Sequence, residues 1–222
     1  MLTHGKSKVN AIPKKHLYGL CYNQEQEGSE VMIRSATISD APALRGIYAY
    51  YVEKTAISFE LDVPTQEEFA RRITETIKRY PYLVLEEDGR ILGYAYASAF
   101  VDRAAYDHSC EVTIYLDRSA KGKGYGRMLY EALEEDLQKR GILNLYACIA
   151  DPVEEDEYLT RNSERFHAHL GYVRAGTFHL CGCKFGRWYN MIWMEKIIGE
   201  HHDNTDHGRL PYREDISGAA DA

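Results

Sequence analysis

A single mixed-sheet α/β domain, α+β in character, is the fold this sequence predicts, and three observations carry the prediction. Two strand-like runs flank Asp88-Gly89, a dipeptide suited to a two-residue hairpin turn. A helix with the T-x-x-E capping pattern, Thr65 and Glu68, comes just before them. A glycine-rich segment, Lys121 to Gly126, separates a strand-like run from a long amphipathic one. Helices therefore intermix with hairpins, which a purely parallel sheet does not produce.

The elements follow in order. Residues 1–30 are polar without sustained periodicity and are expected to form an arm outside the domain. Met32-Ile33-Arg34 opens the first strand. Ser39-Asp40 offers a helix N-cap with Pro42 in the first turn, and Leu44, Ile47, Tyr48 and Tyr51 continue at helical spacing. The helix from Thr65 carries Phe69, Ile73 and Ile77 on one stripe and ends at Pro81. Strands are expected at Tyr82 to Glu86, Ile91 to Ala97 and Cys110 to Leu116. The glycine segment then opens a helix lined by Leu129, Leu133 and Leu137, with Gly141 just past its end. A strand from Leu143 to Ile149, an acidic loop over 150–161 and a helix from about Asn162 to Leu170 come next. Two last strands, near Tyr172–Leu180 and Arg187–Lys196, complete the order β-α-α-β-β-β-α-β-α-β-β. The domain is taken as 31–198, with a polar tail over 199–222.

Composition narrows the function classes. The chain has 222 residues, enough for one domain with tails. A net charge of −7 argues against general nucleic-acid binding, which needs a basic face. No apolar run approaches the roughly 20 residues of a membrane span. Five cysteines at irregular spacing read as reduced thiols in a cytoplasmic protein. The tail histidines His201, His202 and His207 read as tail rather than as a metal site, and no metal is expected.

The glycine segment is the best candidate site. Glycines at 122, 124 and 126 let backbone approach a bulky anion. The helix N-terminus behind them presents free N–H groups and the positive end of its dipole. Lys121, Lys123 and Arg127 add cations, so a pyrophosphate suits the loop. It follows a strand deep in a mixed sheet, and the G-x-x-x-x-G-K-[ST] pattern of nucleotide hydrolases is absent.

In that setting Lys121-x-x-Gly124-x-Gly126 resembles the Q/R-x-x-G-x-G/A signature of the GNAT superfamily of N-acetyltransferases, with Lys121 in place of the usual Gln or Arg. Several other stretches resemble the phosphinothricin and methionine sulfoximine acetyltransferase branch: Met32-Ile33-Arg34-x-Ala36-Thr37-x-x-Asp40, Thr55-x-x-x-Phe59-Glu60, Arg103-x-Ala105-Tyr106, Glu111-Val112-Thr113-Ile114-Tyr115 and Lys184-x-Gly186-Arg187-Trp188. The resemblance covers roughly residues 32–198. It implies an acyl-CoA N-acyltransferase fold, acetyl-CoA as co-substrate held by residues 121–127 with Ile114, Leu116 and Ser163, direct transfer in a ternary complex, and the dimerisation usual in this branch. Thr160 stands where the branch has a pantetheine-contacting Asn. Tyr189 and Asn190 stand where its herbicide-resistance members have a His-Asp pair.

Acetyl transfer to an amine needs a base, an oxyanion partner and an acid for the leaving thiolate. Glu111 is the candidate base: an ionisable side chain in an apolar strand, on one face with Thr113 and Tyr115. The oxyanion partner is expected among the backbone N–H groups of Val112 to Leu116. His167 is the candidate acid, since the branch resembled often has a histidine there. Cys148 as an acyl-carrying nucleophile, with His167 as its base, is the competing chemistry. For the acceptor, Arg103 would hold a carboxylate or phosphinate, and Phe59, Tyr106 and Trp188 would wall the site. Phosphinothricin, methionine sulfoximine or methionine sulfone would be the acceptor type. Two alternatives are a protein or peptide N-acetyltransferase, which the acidic segment Glu154 to Glu157 would serve, and a non-catalytic acetyl-CoA-binding module.

Overall fold

The computed structural model describes residues 22–26 and 29–203. Its strands are β1 (Tyr22–Gln26), β2 (Ser29–Ser35), β3 (Tyr82–Glu87), β4 (Arg90–Ala99), β5 (Ser109–Leu116), β6 (Asn144–Asp151), β7 (Val173–Lys184) and β8 (Arg187–Ile197). Its helices are α1 (Ala41–Lys54), α2 (Gln66–Ile77), α3 (Tyr125–Lys139) and α4 (Asn162–His169). The strands form one sheet in the order β1-β2-β3-β4-β5-β6-β8-β7. Every neighbouring pair is antiparallel except β5 and β6.

Local chemistry explains the element ends. Thr65 caps α2 by accepting a hydrogen bond from the Glu68 backbone N–H at 3.2 Å. The Glu68 carboxylate turns outward to Arg71 and Arg72, so only half of the expected capping box forms. Asp88 and Gly89 both take positive φ, 51° and 78°, as a two-residue hairpin turn between β3 and β4 requires. Asp40 does not cap α1 with its side chain. Its carboxylate accepts from the Thr37 N–H at 2.7 Å and from the Arg34 guanidinium, closing a short 3-10 turn ahead of the helix.

The structure adds one strand to the sequence-based order. β1 falls within the stretch read as an arm, and pairs antiparallel with β2 from Tyr22↔Ile33 to Gln26↔Ser29. Tyr-Asn-Gln-Glu-Gln has a single large apolar residue, so no alternation announces a strand. The residues before Tyr22 and after Asp203, including Cys21 and His207, lie outside the described residues.

The two faces of the sheet hold separate cores. Leu129, Leu133 and Leu137 of α3 pack with Leu83, Leu85, Val112, Leu145 and Ile192 on one face. On the other, Leu44 and Ile47 of α1 and Phe69 and Ile73 of α2 pack on Tyr82, Val84 and Tyr94.

Candidate active site

β5 is fully paired on one edge and mostly open on the other. It runs against β4 from Cys110↔Ala99 to Leu116↔Gly93. Against β6 only Ser109, Cys110 and Glu111 pair, and the strands then part. The hydrogen bonds fix which backbone groups face the gap. The Asp117 N–H reaches Leu92 O beside β4 at 2.8 Å, whereas the Leu116 N–H turns the other way, to the Tyr51 hydroxyl at 3.4 Å. Alternation then directs the N–H groups of Val112 and Ile114 into the gap as well. The Tyr51 hydroxyl also donates to Leu116 O at 2.6 Å. Of the stretch expected to hold an oxyanion partner, Val112 and Ile114 keep N–H groups turned into the gap.

Glu111 lies where the strands separate. Its register partners are Ser98 on β4 and Tyr146 on β6. Cys110 and Val112 join the α3-side core, so Glu111 faces the opposite side with Thr113 and Tyr115. The carboxylate has neither a hydrogen bond nor an ion pair among the described residues, and burial raises its pKa above the ordinary glutamate value. It is a half-buried carboxylate with its lone pairs free.

His167 does not have the geometry of an acid. It is 3% exposed, enclosed by Tyr130, Phe166 and Tyr172. Nδ1 lies 2.8 Å from Ser163 O, a carbonyl that can only accept, so Nδ1 carries the proton. Nε2 lies 3.0 Å from the Tyr130 hydroxyl and accepts from it. Burial pushes the pKa down to about 4. A neutral ring whose only proton is bound to a backbone carbonyl has none to give a leaving thiolate. The sequence assigns an acid here, and the structure gives a packing residue. A depressed histidine pKa contributes stability that is present above the unfolded value, 6.5, and is lost as pH falls through about 4. The thermal midpoint should fall over that window, and His167→Gln should flatten that part of the profile. An unchanged slope in the variant would contradict this placement.

The glycine loop is built as a backbone cradle. Gly122 and Gly124 have φ of 81° and 82°, open to glycine at little cost. Gly126 faces a different constraint: a Cβ there would meet the Phe166 ring at 3.1 Å, so α3 approaches α4 closely. A cleft of about 270 Å³ at the α3 N-terminus is lined by Leu116, Gly122, Gly124, Tyr125, Gly126, Arg127 and Phe166. Ala120, His169 and Leu170 complete its wall. Two expected cofactor contacts are turned aside. The Lys123 ammonium donates to Glu87 Oε2 at 2.8 Å, and the Tyr125 hydroxyl donates to Glu87 Oε1 from a buried ring. Arg127 is exposed, with a loose 3.6 Å pairing to Glu131. Lys121 is exposed and has no ion pair among the described residues. Ser163 lies in the first turn of α4 and gives its carbonyl to His167. A larger groove of about 630 Å³, lined by Arg34, Asp40, Glu86, Arg90 and Asp117, contains none of the expected site residues.

The expected acceptor residues divide into two groups. Tyr106 packs edge-on to Phe100, which stacks on Tyr146 at 4.1 Å and meets Trp193 at 5.5 Å. Tyr146 is the register partner of Glu111, so this aromatic cluster adjoins that carboxylate. Phe100, Tyr146 and Trp193 were missed, because the register that sets Tyr146 beside Glu111 joins two segments far apart in the sequence. Arg103 is exposed in the same connection, with no side-chain partner among the described residues. Phe59 instead sits over Gly182, where a Cβ would fall 2.4 Å from its ring, and beside Tyr189. Trp188 is 59% exposed on the same hairpin. Cys148 is exposed in β6 rather than buried, and burial of its surroundings raises its thiol to about 12, which disfavours a nucleophilic thiolate.

Three of the four carboxylates of the acidic segment are paired within the protein, and Glu154 has no ion pair among the described residues. Glu155 pairs with Arg165 and accepts from the Arg161 N–H. Asp156 holds Arg187 and the Tyr189 hydroxyl, and Glu157 holds Arg187. Among the described residues, no group of three or more His, Cys, Asp or Glu side chains is arranged to hold a metal ion, and no helix is long and apolar enough to cross a membrane.

Comparison with known proteins agrees with this architecture. Residues 33–193 match the acetyltransferase (GNAT) domain. The chain is 33% identical over 174 residues to a phosphinothricin N-acetyltransferase of Streptomyces coelicolor, covering 77% of this chain and 98% of that one. It is 31% identical to an L-methionine sulfoximine/L-methionine sulfone acetyltransferase of Salmonella typhimurium, covering 76% and 95%. The crystal structure of a GNAT superfamily phosphinothricin acetyltransferase from Sinorhizobium meliloti in complex with AcCoA superposes with a TM-score of 0.73 at 31% identity, over 82% of this chain and 97% of that one. The match runs through β5 and the glycine segment that opens α3, and the chain belongs to the GNAT family of N-acetyltransferases.

Proposed function

We propose that the chain transfers the acetyl group of acetyl-CoA to the amine of a small amino-acid-like acceptor, of the phosphinothricin, methionine sulfoximine or methionine sulfone type. The observation that carries this reading is the unpartnered, half-buried Glu111 carboxylate at the point where β5 and β6 separate. The relatives that act on phosphinothricin and on methionine sulfoximine or sulfone support the acceptor class.

Transfer is direct, with both substrates bound. The α3 N-terminus takes the pyrophosphate on backbone N–H groups. The thioester oxygen lies against the N–H of Val112 or Ile114. Glu111 takes a proton from the acceptor ammonium, itself or through water. The freed amine attacks the thioester carbon and a C–N bond forms; the C–S bond then breaks, and the second proton lost by the nitrogen passes through solvent to the departing thiolate, which leaves as CoA thiol. Tyr106, with Phe100 and Tyr146, walls the acceptor beside Glu111, and Arg103 reaches for its acidic group. Cytoplasmic residence and pairing with a second copy belong to the same proposal. Free thiols suit a reducing compartment. Exposed Phe178, Leu180 and Trp188 on the β7–β8 hairpin suit a protein contact.

Purified protein mixed with acetyl-CoA and each of the three acceptors should release CoA thiol with at least one of them. Release with lysine or N-terminal peptides and with none of the amino-acid analogues would overturn the acceptor class.

A further inference from the structure

The geometry points to Glu87 as a positioning residue for the acetyl-CoA phosphates, acting through the glycine loop and touching no substrate itself. Glu87 ends β3, one residue before the Asp88-Gly89 turn, and lies outside every motif read from the sequence. Its carboxylate gathers two loop residues. Lys123 donates to both oxygens, at 3.1 and 2.8 Å. The Tyr125 hydroxyl donates to Oε1. The Lys123 ammonium also lies 5.4 Å from the centre of the Tyr125 ring. The carboxylate is largely enclosed, its side chain 19% exposed, while that of Lys123 is 42% exposed.

Tyr125 is the first residue of α3, and its ring is fully buried. Gly124, just before it, takes left-handed φ. One carboxylate on a sheet strand thus ties down both sides of the residue where the chain turns into the helix. The free N–H groups of that turn are the anion site. A flexible Gly-Lys-Gly-Tyr-Gly segment would have to be ordered when phosphate binds, at an entropic cost that the tether removes beforehand. The positive charge of Lys123 is spent inside the protein, so its contribution to phosphate binding is geometric.

This rests on the proposed acetyl-CoA site, and it differs in sign from the obvious alternative. If Lys123 grips phosphate directly, Glu87 competes for it, and removing Glu87 should tighten binding. If Glu87 positions the loop, removing it should weaken binding. The test uses full-length wild type with Glu87→Gln, Lys123→Ala and Tyr125→Phe. Dissociation constants for acetyl-CoA are measured by calorimetry, and steady-state kinetics are run with acetyl-CoA and with S-acetylpantetheine, which lacks the pyrophosphate. Positioning predicts a KM for acetyl-CoA raised about tenfold in Glu87→Gln, the scale of one charge-assisted hydrogen bond. It also predicts an unchanged KM for S-acetylpantetheine and an unchanged kcat. Lys123→Ala and Tyr125→Phe should each weaken acetyl-CoA binding, and Glu87→Asp should recover part of the loss. Equal or tighter acetyl-CoA binding in Glu87→Gln overturns the inference, as does a loss shared equally by S-acetylpantetheine. Failure of wild type to bind acetyl-CoA would instead sink the proposed function.

Discussion

Glu111→Gln is expected to lower kcat by about 10²-fold or more, the usual scale of general-base catalysis, while leaving acetyl-CoA affinity unchanged. The amide keeps the shape of the carboxylate and removes its ability to accept a proton. Wild-type kcat/KM should fall on the acid side as Glu111 becomes protonated, and burial places that limb above the ordinary glutamate value. The limb should vanish in the variant. Stability supplies a second, opposite readout. A carboxyl whose folded pKa is raised binds its proton more tightly when folded, so its contribution is complete below the unfolded pKa and lost as pH rises through the folded one. At neutral pH the ionised Glu111 therefore weakens the fold, and Glu111→Gln should melt higher than wild type. A variant that loses activity and melts lower would indicate a structural role. Unchanged turnover would remove Glu111 from the chemistry.

Gly126→Val should raise the KM for acetyl-CoA by about 5- to 150-fold, the kinetic equivalent of the roughly 1–3 kcal/mol that overpacking costs. Any Cβ at 126 meets the Phe166 ring at 3.1 Å and Leu116 at 3.4 Å, and the second branch of valine adds to the crowding. Relief requires α3 to move away from α4, which withdraws the N–H groups that face the cleft. Acceptor KM should move far less, because Phe59 and Tyr106 contact neither helix through the hydrogen bonds or ring pairs described. Equal changes for both substrates would point to general unfolding, and an unchanged acetyl-CoA KM would show that the cleft is not the phosphate site.

Local chemistry made much of this fold legible. The turn at Asp88-Gly89, the Thr65 half of the capping box and the stripe through Leu129, Leu133 and Leu137 each report on a few neighbouring residues, and each forms as expected. The gap beside β5 is not local. It depends on where β6 stops pairing after Glu111↔Tyr146, a relation between segments 35 positions apart that neither segment encodes alone. Side-chain direction was also hidden. Lys123 reads as a phosphate ligand from its place in the loop, and only the position of Glu87 across the sheet turns it away. His167 matches the family position for an acid, yet its tautomer follows from Ser163 O and the Tyr130 hydroxyl, which no motif includes.

The three-rung pairing of β5 with β6 has a consequence for how the protein holds itself together. The sheet is two rafts, β1–β5 and β6–β8, joined on this seam by the pairs at Ser109, Cys110 and Glu111. The amides of Val112 and Ile114 behave as the lip of an unfinished zipper, and a ligand arm that carries its own amide groups can close it. Occupancy should then be felt as cohesion between the rafts: slower amide exchange along that lip, and a melting temperature that climbs with acetyl-CoA concentration.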